Sequence, residues 1–405
     1  GDSITVRAGG GGWINLYDFD SLAVDSLIVQ QRGPSYPYIR GGRITTVRNS
    51  RFLDLEGYAL NVDAFPRDSS HLLLRKVEFL GPDSAVCDRC GYAVDSYRTS
   101  VDADSVVAAN LNWVFDVQRR ITLRNATVTH AWYLLYLACG TGKLSQVKST
   151  DVYYGVQVYG SGCLNDSLVV DSSSFRRQYR AIDADYVTTL VTNTVFENTT
   201  FEAINQFCGP LRVVNVSSTR GTYGIDAYGF GCTDDSLVVE NSSFAQHTYG
   251  VYGFYMPVKV TNSTFTDNQY HLYLGSAPRL VTNNALVRPK FYGVYLSTGG
   301  LGSSSLLDNT ITCDVVGAAG AYGIEVSAFR PDTVVIANNT VTGCFSGVRA
   351  YGGSRIGIQG NGVSLPSSVG GYGIVGDPDT LLRVAGNTVS GPAKYGSIRI
   401  EAVQQ

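Results

Sequence analysis

The sequence lacks most of the features that assign a chain to a common functional class. Its 405 residues include one methionine, and Lys plus Arg (31) nearly balance Asp plus Glu (34). A net charge of −3 gives no basic excess for nucleic acid, so no nucleic-acid partner is expected. The longest apolar run, residues 131–139, is too short to cross a bilayer, so no membrane insertion is expected. No long segment has a period of 3.6 residues, which predicts little or no helix.

The sequence does contain a repeat that is rich in glycine (45 residues) and tyrosine (26 residues). In residues 222–275, the phrase Tyr-Gly-hydrophobic-x-hydrophobic alternates with hydrophobic-x-hydrophobic-x-Asn-Ser-Ser/Thr-Phe. The first position of the Tyr-Gly phrase, here called slot 0, returns after about 24 residues on average, which indicates a solenoid of stacked coils. Slot 0 falls at Tyr58, Tyr92, Trp113, Tyr133, Tyr154, Arg180, Glu202, Tyr223, Tyr249, Tyr270, Tyr292, Tyr322, Ser346, Tyr372 and Tyr395.

The repeat also predicts the domain organisation. Trp13 and Tyr36 are poorer matches to slot 0, and with them the solenoid has about 15–17 coils. Residues 1–43 are predicted to form irregular N-terminal coils, residues 44–400 a regular β-solenoid, and residues 401–405 a C-terminal tail. Because each coil adds to one continuous core, the repeats override the two or three domains that the chain length would otherwise suggest.

Strand alternation predicts which residues of each coil face inward. In a strand, slots 0, +2 and +4 share one face, and slots +1 and +3 share the other. Nearly all slot +2 residues are Val, Ile or Leu, so the tyrosines of slot 0 are predicted to face the core and slot +3 to face solvent. The slot +3 residues are Asn61, Asp95, Asp116, Tyr136, Gln157, Asp183, Asn205, Asp226, Tyr252, Tyr273, Tyr295, Glu325, Arg349 and Val375.

Eight cysteines indicate an oxidising environment, and we therefore expect an extracellular or cell-surface location. Residues one coil apart lie about 4.8 Å apart, within the Cα range of a disulfide. Cys-Asp-Arg-Cys could instead be half a metal site or a redox dithiol, but the chain has no second CxxC motif, which favours a local disulfide. The predicted pairs are Cys87–Cys90, Cys139–Cys163, Cys208–Cys232 and Cys313–Cys344.

The pattern hydrophobic-x-hydrophobic-x-Asn-x-[Ser/Thr]-[Phe/Val/Ile], followed by Tyr-Gly-[Val/Ile], resembles the right-handed parallel β-helix repeat of pectin-lyase-like solenoids. The resemblance covers roughly residues 44–400. It implies an all-β fold, a right-handed single-stranded parallel β-helix. Pectin-acting enzymes, alginate epimerases, copper-site-assembly periplasmic proteins and phage tailspikes share this fold, so the fold alone does not assign an activity.

The catalytic motifs of the enzymes with this fold are missing from the sequence. Polygalacturonases carry Asn-Thr-Asp, Asp-Asp, Gly-His-Gly and Arg-Ile-Lys, and the chain has only Asp234-Asp235. Alginate epimerases carry Asp-Pro-His-Glu, whereas Asp377-Pro378 is followed by another aspartate. The four histidines lie at unrelated positions of the repeat, so they suggest neither a triad nor a metal cluster. The sequence therefore favours a protein that is not an enzyme.

Acidic residues of slot +3 are the candidates for catalysis or metal binding. Asp183 and Asp226 are two coils apart, a backbone distance of about 9.6 Å, which is near the upper limit for an inverting glycosidase pair. Asp95 and Asp116 are one coil apart, and carboxylates in this arrangement could hold Ca²⁺. The simpler interpretation is a solvated acidic stripe that needs no cofactor.

Three tyrosines of slot +3 are the candidates for ligand binding. Tyr252, Tyr273 and Tyr295 lie in consecutive coils and could form a platform on which sugar rings stack. The alternative interpretation is an aromatic ladder that stabilises the sheet through contacts between neighbouring strands.

The sequence leads to three functional hypotheses. The first is a secreted, non-enzymatic structural solenoid that self-associates end to end into an extracellular filament or surface fibre. No amphipathic capping helix is recognisable at either end, and matching open ends form a contact that does not close. The second is a carbohydrate-binding or polysaccharide-degrading (lyase-like or glycosidase-like) domain. The third is a module of a large adhesin.

Overall fold

The structure, a computed structural model, is all-β wherever it describes the chain. It describes residues 4–9, 15–17, 20–32, 38–40, 43–64, 70–82, 90–163, 166–233, 235–276, 278–299, 302–314, 320–329, 331–352, 355–366, 371–377, 381–392 and 397–400. Side chains are not described before residue 20, at residues 31–32 or at residues 38–40. No helix occurs in these ranges, so they contain no helix that is long and apolar enough to span a membrane.

The chain forms two compact units, Gly1–Phe201 and Glu202–Gln405. Together the units contain about 14 turns of a parallel β-solenoid. The predicted boundaries at residues 43/44 and 400/401 stay predictions, since residues 401–405 and much of residues 1–43 lie outside the described ranges. The same holds for Trp13, Tyr36 and Tyr395.

The strands of the first unit are numbered in chain order. They are β1 (Ile4–Gly9), β2 (Asn15–Tyr17), β3 (Ser21–Asp25), β4 (Leu27–Arg32), β5 (Tyr38–Arg40), β6 (Ile44–Leu53), β7 (Tyr58–Asp63), β8 (Ser70–Leu80), β9 (Tyr92–Tyr97), β10 (Thr99–Val117), β11 (Arg120–Arg124), β12 (Thr127–Ala138), β13 (Thr141–Ser145), β14 (Lys148–Tyr159), β15 (Ser167–Asp171), β16 (Ser174–Arg176), β17 (Arg180–Asp185), β18 (Thr188–Thr192) and β19 (Val195–Glu197).

The second unit continues this numbering. Its strands are β20 (Glu202–Phe207), β21 (Leu211–Val214), β22 (Ser217–Tyr228), β23 (Leu237–Glu240), β24 (Ser243–Phe254), β25 (Val258–Thr261), β26 (Thr264–Thr266), β27 (Tyr270–Gly275), β28 (Arg279–Thr282), β29 (Ala285–Val287), β30 (Tyr292–Ser297), β31 (Ser303–Leu307), β32 (Thr310–Thr312), β33 (Tyr322–Ala328), β34 (Thr333–Ala337), β35 (Thr340–Thr342), β36 (Ser346–Gly352), β37 (Arg355–Gln359), β38 (Gly362–Ser364), β39 (Ile374–Asp377), β40 (Leu381–Ala385), β41 (Thr388–Ser390) and β42 (Ile398–Ile400).

Each coil of the regular region contributes up to three strands, and each strand pairs in parallel with its equivalent in the next coil. For example, β25, β26 and β27 pair with β28, β29 and β30 respectively. The register keeps equivalent residues opposite each other, so identical positions of the repeat stack into continuous rows. The slot +3 register is the one that the sequence predicts.

The tyrosines of slot 0 face outward, so their predicted inward placement is wrong. Along β30, Tyr292 and Tyr295 are half-buried, while the two residues between them, Gly293 and Val294, are both buried. Strict alternation is therefore broken between slots +1 and +2. A Cβ on Gly293 would lie 2.6 Å from the carbonyl oxygen of Gly323, so the close approach of two coils requires glycine here. The Tyr-Gly pair marks this bend.

Phenylalanine stacks occupy the interior, as the repeat predicts. Phe244 and Phe265 are fully buried, and their ring centroids lie 5.3 Å apart in a stacked pair. Phe175 and Phe196 form an equivalent pair at 5.4 Å in the first unit. Stacks of this kind bury a large apolar area without requiring any polar partner.

The repeated asparagines form two adjacent rows with different roles. In the first row, the backbone takes a left-handed conformation with φ of 51–58° at Asn125, Asn215, Asn241, Asn262, Asn283 and Asn338. Asparagine tolerates this conformation at bends better than most residues do. The second row lies one residue later and points inward. Its side-chain amides donate hydrogen bonds of 2.9–3.0 Å from coil to coil along Asn284, Asn309, Asn339, Asn361 and Asn387.

Disulfides join three of the predicted pairs. They are Cys139–Cys163, Cys208–Cys232 and Cys313–Cys344, with Cα atoms 5.8, 5.8 and 4.8 Å apart. Cys90 is also disulfide-bonded, but its predicted partner Cys87 lies outside the described residues. Three disulfides are typical of an oxidising, extracytoplasmic environment.

The inward asparagine row predicts a specific sensitivity to mutation. The side chain of Asn309 accepts from both nitrogens of Asn284 and donates to Val281 and Asn339. Asn309→Ala removes these bonds and leaves buried polar groups without partners, so we expect a loss of about 3 kcal/mol in the free energy of unfolding. Denaturant titration followed by circular dichroism measures it. The control, Asn283→Gly, keeps the left-handed backbone at the exposed neighbouring position and is expected to cost less than about 0.5 kcal/mol. Equal losses in the two variants would contradict the ladder's role.

Candidate functional site

The outer side of the sheet in the second unit brings together the tyrosines that the sequence singles out. Register pairing places six slot +3 residues of consecutive coils side by side, in the order Asp226, Tyr252, Tyr273, Tyr295, Glu325 and Arg349. The three tyrosines therefore form an uninterrupted row, with a carboxylate next to each end of it.

The rings of this row stack on one another. The ring centroids of Tyr252 and Tyr273 are 5.5 Å apart with planes 3° from parallel, and those of Tyr273 and Tyr295 are 4.5 Å apart at 14°. Parallel rings at such distances are offset-stacked, so much of each ring face is covered by the ring of the neighbouring coil. The rings stabilise the sheet as a ladder, and they do not form a flat platform with open faces.

A second tyrosine ladder runs beside the first because slot 0 also faces outward. Neighbouring rings of slot 0 are 4.8–5.7 Å apart and within 16° of parallel, along Tyr223, Tyr249, Tyr270, Tyr292 and Tyr322. The two ladders meet edge to face, for example at 5.3 Å between Tyr249 and Tyr252 and at 5.4 Å between Tyr292 and Tyr295. We call these eight tyrosines the tyrosine face.

The tyrosine face offers ring edges and phenol hydroxyls to a ligand. All eight side chains are half-buried, so each keeps part of its surface in solvent. Burial raises the pKa of Tyr252 to about 12, with a further contribution from the Asp226 charge. Burial likewise raises the pKa of Tyr292 and of Tyr295 to about 12, with smaller contributions that include the Glu325 charge. The hydroxyls therefore stay protonated at physiological pH and can both donate and accept hydrogen bonds.

Glu325 lies against one end of the tyrosine face and was not singled out from the sequence. It is buried, and its Oε1 accepts a hydrogen bond of 3.3 Å from the Tyr351 hydroxyl. Burial raises the pKa of Glu325, while the Arg349 charge and the Tyr351 bond oppose that rise. The only signal in the sequence is a single acidic residue directly after three tyrosines in slot +3.

Slot +3 of the first unit is acidic instead of aromatic. Asp95 pairs in register with Asn61 on one side and with Asp116 on the other. Burial raises the pKa of Asp95, and the nearby charge of Asp63 adds to the rise. Burial also raises the pKa of Asp116 to about 6, and the Asp95 charge adds to it. The Asp95 charge one coil away thus disfavours the ionised form of Asp116, while Asp95 itself accepts a hydrogen bond of 3.2 Å from Asn61 Nδ2.

Within the described residues, Asp183, unlike Asp95 and Asp116, has an arginine among its hydrogen-bond donors. Its Oδ2 accepts hydrogen bonds of 3.2 Å from Gln157 Nε2 and of 3.2 Å from Arg180 Nη1. Asp185, which the sequence did not suggest, lies two residues further along β17, and burial followed by the Asp183 charge raises its pKa to about 6. Asp183 belongs to the first unit and Asp226 to the second, so their catalytic pairing stays a prediction. The carboxylate that accompanies Asp183 within its own unit is Asp185.

A strip of aromatic residues lies at slot −1, the residue directly before slot 0, in the first unit. It was not predicted from the sequence. Its rings stack at 4.3, 4.7 and 5.5 Å along Trp132, Tyr153, Tyr179 and Phe201. Trp132 is 48% exposed and Tyr153 is 37% exposed, so these rings are more accessible than the tyrosine face. The guanidinium of Arg180 lies 5.3 Å from the ring centre of Phe201. The signal in the sequence is an aromatic residue directly before slot 0 in four consecutive coils, which the prediction did not use because it considered only slots 0 to +4.

Potential metal ligands come together at two disulfides. Within the described ranges, groups of three such atoms within 4.8 Å are formed by Cys139, Cys163 and Asp166 and by Cys208, Cys232 and Asp235. Their cysteines are bonded to each other and are not free to ligate a metal. Asp166 and Asp235 instead accept hydrogen bonds from the backbone amides of Gly140 and Gly209. The predicted Ca²⁺ role of Asp95 and Asp116 stays a prediction.

Comparison with known proteins identifies the type of repeat. Residues 208–363 and 253–399 match the family model described as a right handed beta helix region. This part of the chain thus consists of right-handed β-helix repeats, and the right-handed parallel β-helix expected from the sequence is confirmed. No curated protein matches the chain.

Two solved structures illustrate the likeness of fold. The chain is similar to the A-module of mannuronan C-5 epimerase AlgE6 from Azotobacter vinelandii, with 12% identity, coverage of 98% of this chain and 92% of that one, and a TM-score of 0.28. It is also similar to the Dettilon tailspike protein (gp208), with 11% identity, coverage of 88% and 62%, and a TM-score of 0.23. Similarity at these TM-scores does not indicate an activity for this chain.

The acidic row of the first unit predicts a pH dependence of stability. The pKa of Asp116 is about 6 in the folded protein, against an ordinary value of 3.8. The folded state therefore binds more protons than the unfolded state between these values, and stability falls as the pH rises from about 4 to 6. Asp116→Asn removes this loss, so its melting temperature should exceed that of the wild type at pH 7 and match it near pH 4.

Calorimetric melting at pH 4, 5, 6 and 7 measures this effect. Asp95→Asn serves as the second variant, because it removes the Asp95 charge that raises the pKa of Asp116 together with the raised pKa of Asp95 itself, and it should also raise the melting temperature at pH 7. A wild-type protein that is more stable than Asp116→Asn at pH 7 would contradict the proposed electrostatics.

Proposed function

We propose that the tyrosine face of the second unit binds a polysaccharide. The observation that supports this is the double ladder of tyrosines, which repeats the same hydroxyl and ring edge once per coil. A ligand that is itself a regular polymer can repeat its contacts along such a row. Five coils contribute to slot 0 of the face, so the row is about 19 Å long at the ladder spacing of about 4.8 Å.

The chemistry of tyrosine suits this ligand class. Each side chain supplies apolar area for the C–H groups of a sugar and a hydroxyl for its polar groups. Stacking fixes the rings before the ligand arrives, so little side-chain entropy is lost on binding. The proposal is one of binding, and we assign no catalytic step to these residues.

An extracellular location belongs to the same proposal. The three disulfides support a secreted or cell-surface protein, where polysaccharides are accessible. End-to-end assembly into a filament or surface fibre, and membership of a large adhesin, stay predictions from the sequence. Electron microscopy of the purified protein tests the first of these. Monomeric particles at high concentration would argue against it.

Removal of one central ring should weaken binding. Tyr273 contacts Tyr252 and Tyr295 in its own row and the ring of Tyr270 edge to face. Tyr273→Ala opens a gap in the slot +3 ladder and removes an edge-to-face contact with the slot 0 ladder, and we expect about ten-fold weaker binding, a loss of about 1.4 kcal/mol. Tyr273→Phe keeps the stacking and loses the hydroxyl, so a smaller loss is expected.

Affinity electrophoresis and calorimetry against a panel of soluble polysaccharides measure these effects. Phe329→Ala is the matched control, since Phe329 is an exposed aromatic residue (54%) outside the two ladders. A wild-type protein that binds no member of the panel, or equal losses in the control and in Tyr273→Ala, would contradict the proposal.

A further inference from the structure

The residue that closes the tyrosine row, Glu325, is unusual for an outward-facing position. It occupies slot +3 of β33, where its register partners are Tyr295 in the preceding coil and Arg349 in the following one. Its side chain is only 7% exposed. A carboxylate buried to this degree normally has hydrogen-bond partners for both oxygens.

One oxygen of this carboxylate has such a partner and the other does not. Oε1 accepts from the Tyr351 hydroxyl at 3.3 Å. Oε2 is buried and accepts no hydrogen bond from the described residues. The nearest guanidinium nitrogen, Arg349 Nη1, is 3.9 Å from Oε2, which is too long for a hydrogen bond. The charge on Oε2 is therefore not neutralised by any hydrogen bond from the described residues.

The position of Arg349 explains why it does not supply that donor. Its guanidinium carbon lies 5.2 Å from the ring centre of Tyr351, over the ring face. A cation in this place gains from the aromatic ring as well as from the carboxylate. The positive charge is thus shared between Glu325 and Tyr351, and it is less available to an anionic ligand.

We infer that Glu325 determines the specificity of the tyrosine face. Its negative charge next to Tyr295 favours a hydroxyl or a protonated amino group of the bound polymer over a carboxylate. The face therefore takes neutral or amino-bearing polysaccharides and rejects polyuronates, whose carboxylates would meet a like charge. This inference rests on the proposed function, because it names the substrate class of the same face.

The charges around the row agree with this assignment. The tyrosine row is flanked by Asp226 at one end and by Glu325 at the other, and Arg349 is the cation that follows Glu325 in slot +3. The Asp226 charge contributes to the raised pKa of Tyr223 and of Tyr252, so its field reaches the hydroxyls. The two carboxylates next to the ends of the tyrosine row therefore disfavour an anionic ligand there, although the Lys290 ammonium, over the Phe291 ring that contacts Tyr270, is a further cation near the face.

The test compares three soluble oligosaccharides at one pH and one ionic strength: a glucosamine oligomer, a neutral glucan oligomer and a galacturonate oligomer. Titration calorimetry should show the wild type binding the glucosamine oligomer at least ten-fold more tightly than the galacturonate oligomer. In Glu325→Gln, which keeps the size of the side chain and removes its charge, that ratio should fall below three-fold.

Two further variants separate the charge from its surroundings. Tyr351→Phe removes the hydrogen bond to Oε1 and keeps the carboxylate, so the ratio should change by less than three-fold. Glu197→Gln alters a half-buried glutamate of the first unit, paired with Arg176, and should leave the ratio unchanged. Circular dichroism melting verifies that each variant is folded.

The outcomes distinguish this inference from the proposal on which it rests. If the wild type binds none of the three oligomers, the polysaccharide function itself fails. If it binds the galacturonate oligomer most tightly, or if Glu325→Gln leaves the ratio unchanged, the binding function stands and the specificity role of Glu325 is overturned. A loss of galacturonate binding in Arg349→Gln would show that the guanidinium receives an anionic ligand, which would also overturn it.

Discussion

In-register stacking of equivalent residues is the constraint on which the rest of the structure depends. Parallel pairing places each residue about 4.8 Å from the residue at the same position of the next coil. A favourable contact between two identical residues in neighbouring coils is therefore repeated along the row of equivalent positions. The inward asparagines bond to one another, the buried phenylalanines stack, and Tyr252, Tyr273 and Tyr295 form a ladder for this one reason.

The same constraint makes rows of acidic residues unfavourable, because it places their like charges side by side. The neighbours of these carboxylates differ from row to row. Asp95 and Asp116 are neighbours in register, and the pKa of each is raised. The next residues of that row are Tyr136 and Gln157, which carry no charge, and Asp183 accepts a hydrogen bond from Gln157. In the second unit a carboxylate lies next to each end of the tyrosine row, and one of them, Glu325, has an oxygen without a hydrogen bond from the described residues.

Much of the fold could be predicted from the sequence because the repeat is regular in its middle. The side chains of slots +2 to +4 alternate between inward and outward, as in a straight strand. The outward row at slot +3 and its register can therefore be predicted by counting residues along the repeat. Slot 0 could not be placed in this way, because the bend at the following glycine depends on the backbone of the next coil, as at Gly293 and Gly323. The inward assignment of the tyrosines was wrong for that physical reason.

The candidate site was less predictable than the fold. The sequence indicated one tyrosine row, and the second row became part of the site only once the bend turned slot 0 outward. The neighbours of the Glu325 carboxylate include Arg349 and Tyr351 of the following coil, and no local pattern encodes that neighbourhood. The aromatic strip of Trp132 and Tyr153 was visible in the sequence as an aromatic residue directly before slot 0 in four consecutive coils, but strand alternation was applied only to slots 0 to +4.

The central claim is that both tyrosine ladders face outward and that a polysaccharide covers them. Hydroxyl-radical footprinting read by mass spectrometry tests it most directly, with and without a bound oligosaccharide. The account predicts that Tyr249, Tyr270, Tyr252 and Tyr273 are all oxidised in the free protein and are protected together when the ligand is bound. The account would be contradicted if Tyr249 and Tyr270 were as inert as the buried Phe244 and Phe265, or if protection fell outside the tyrosine face.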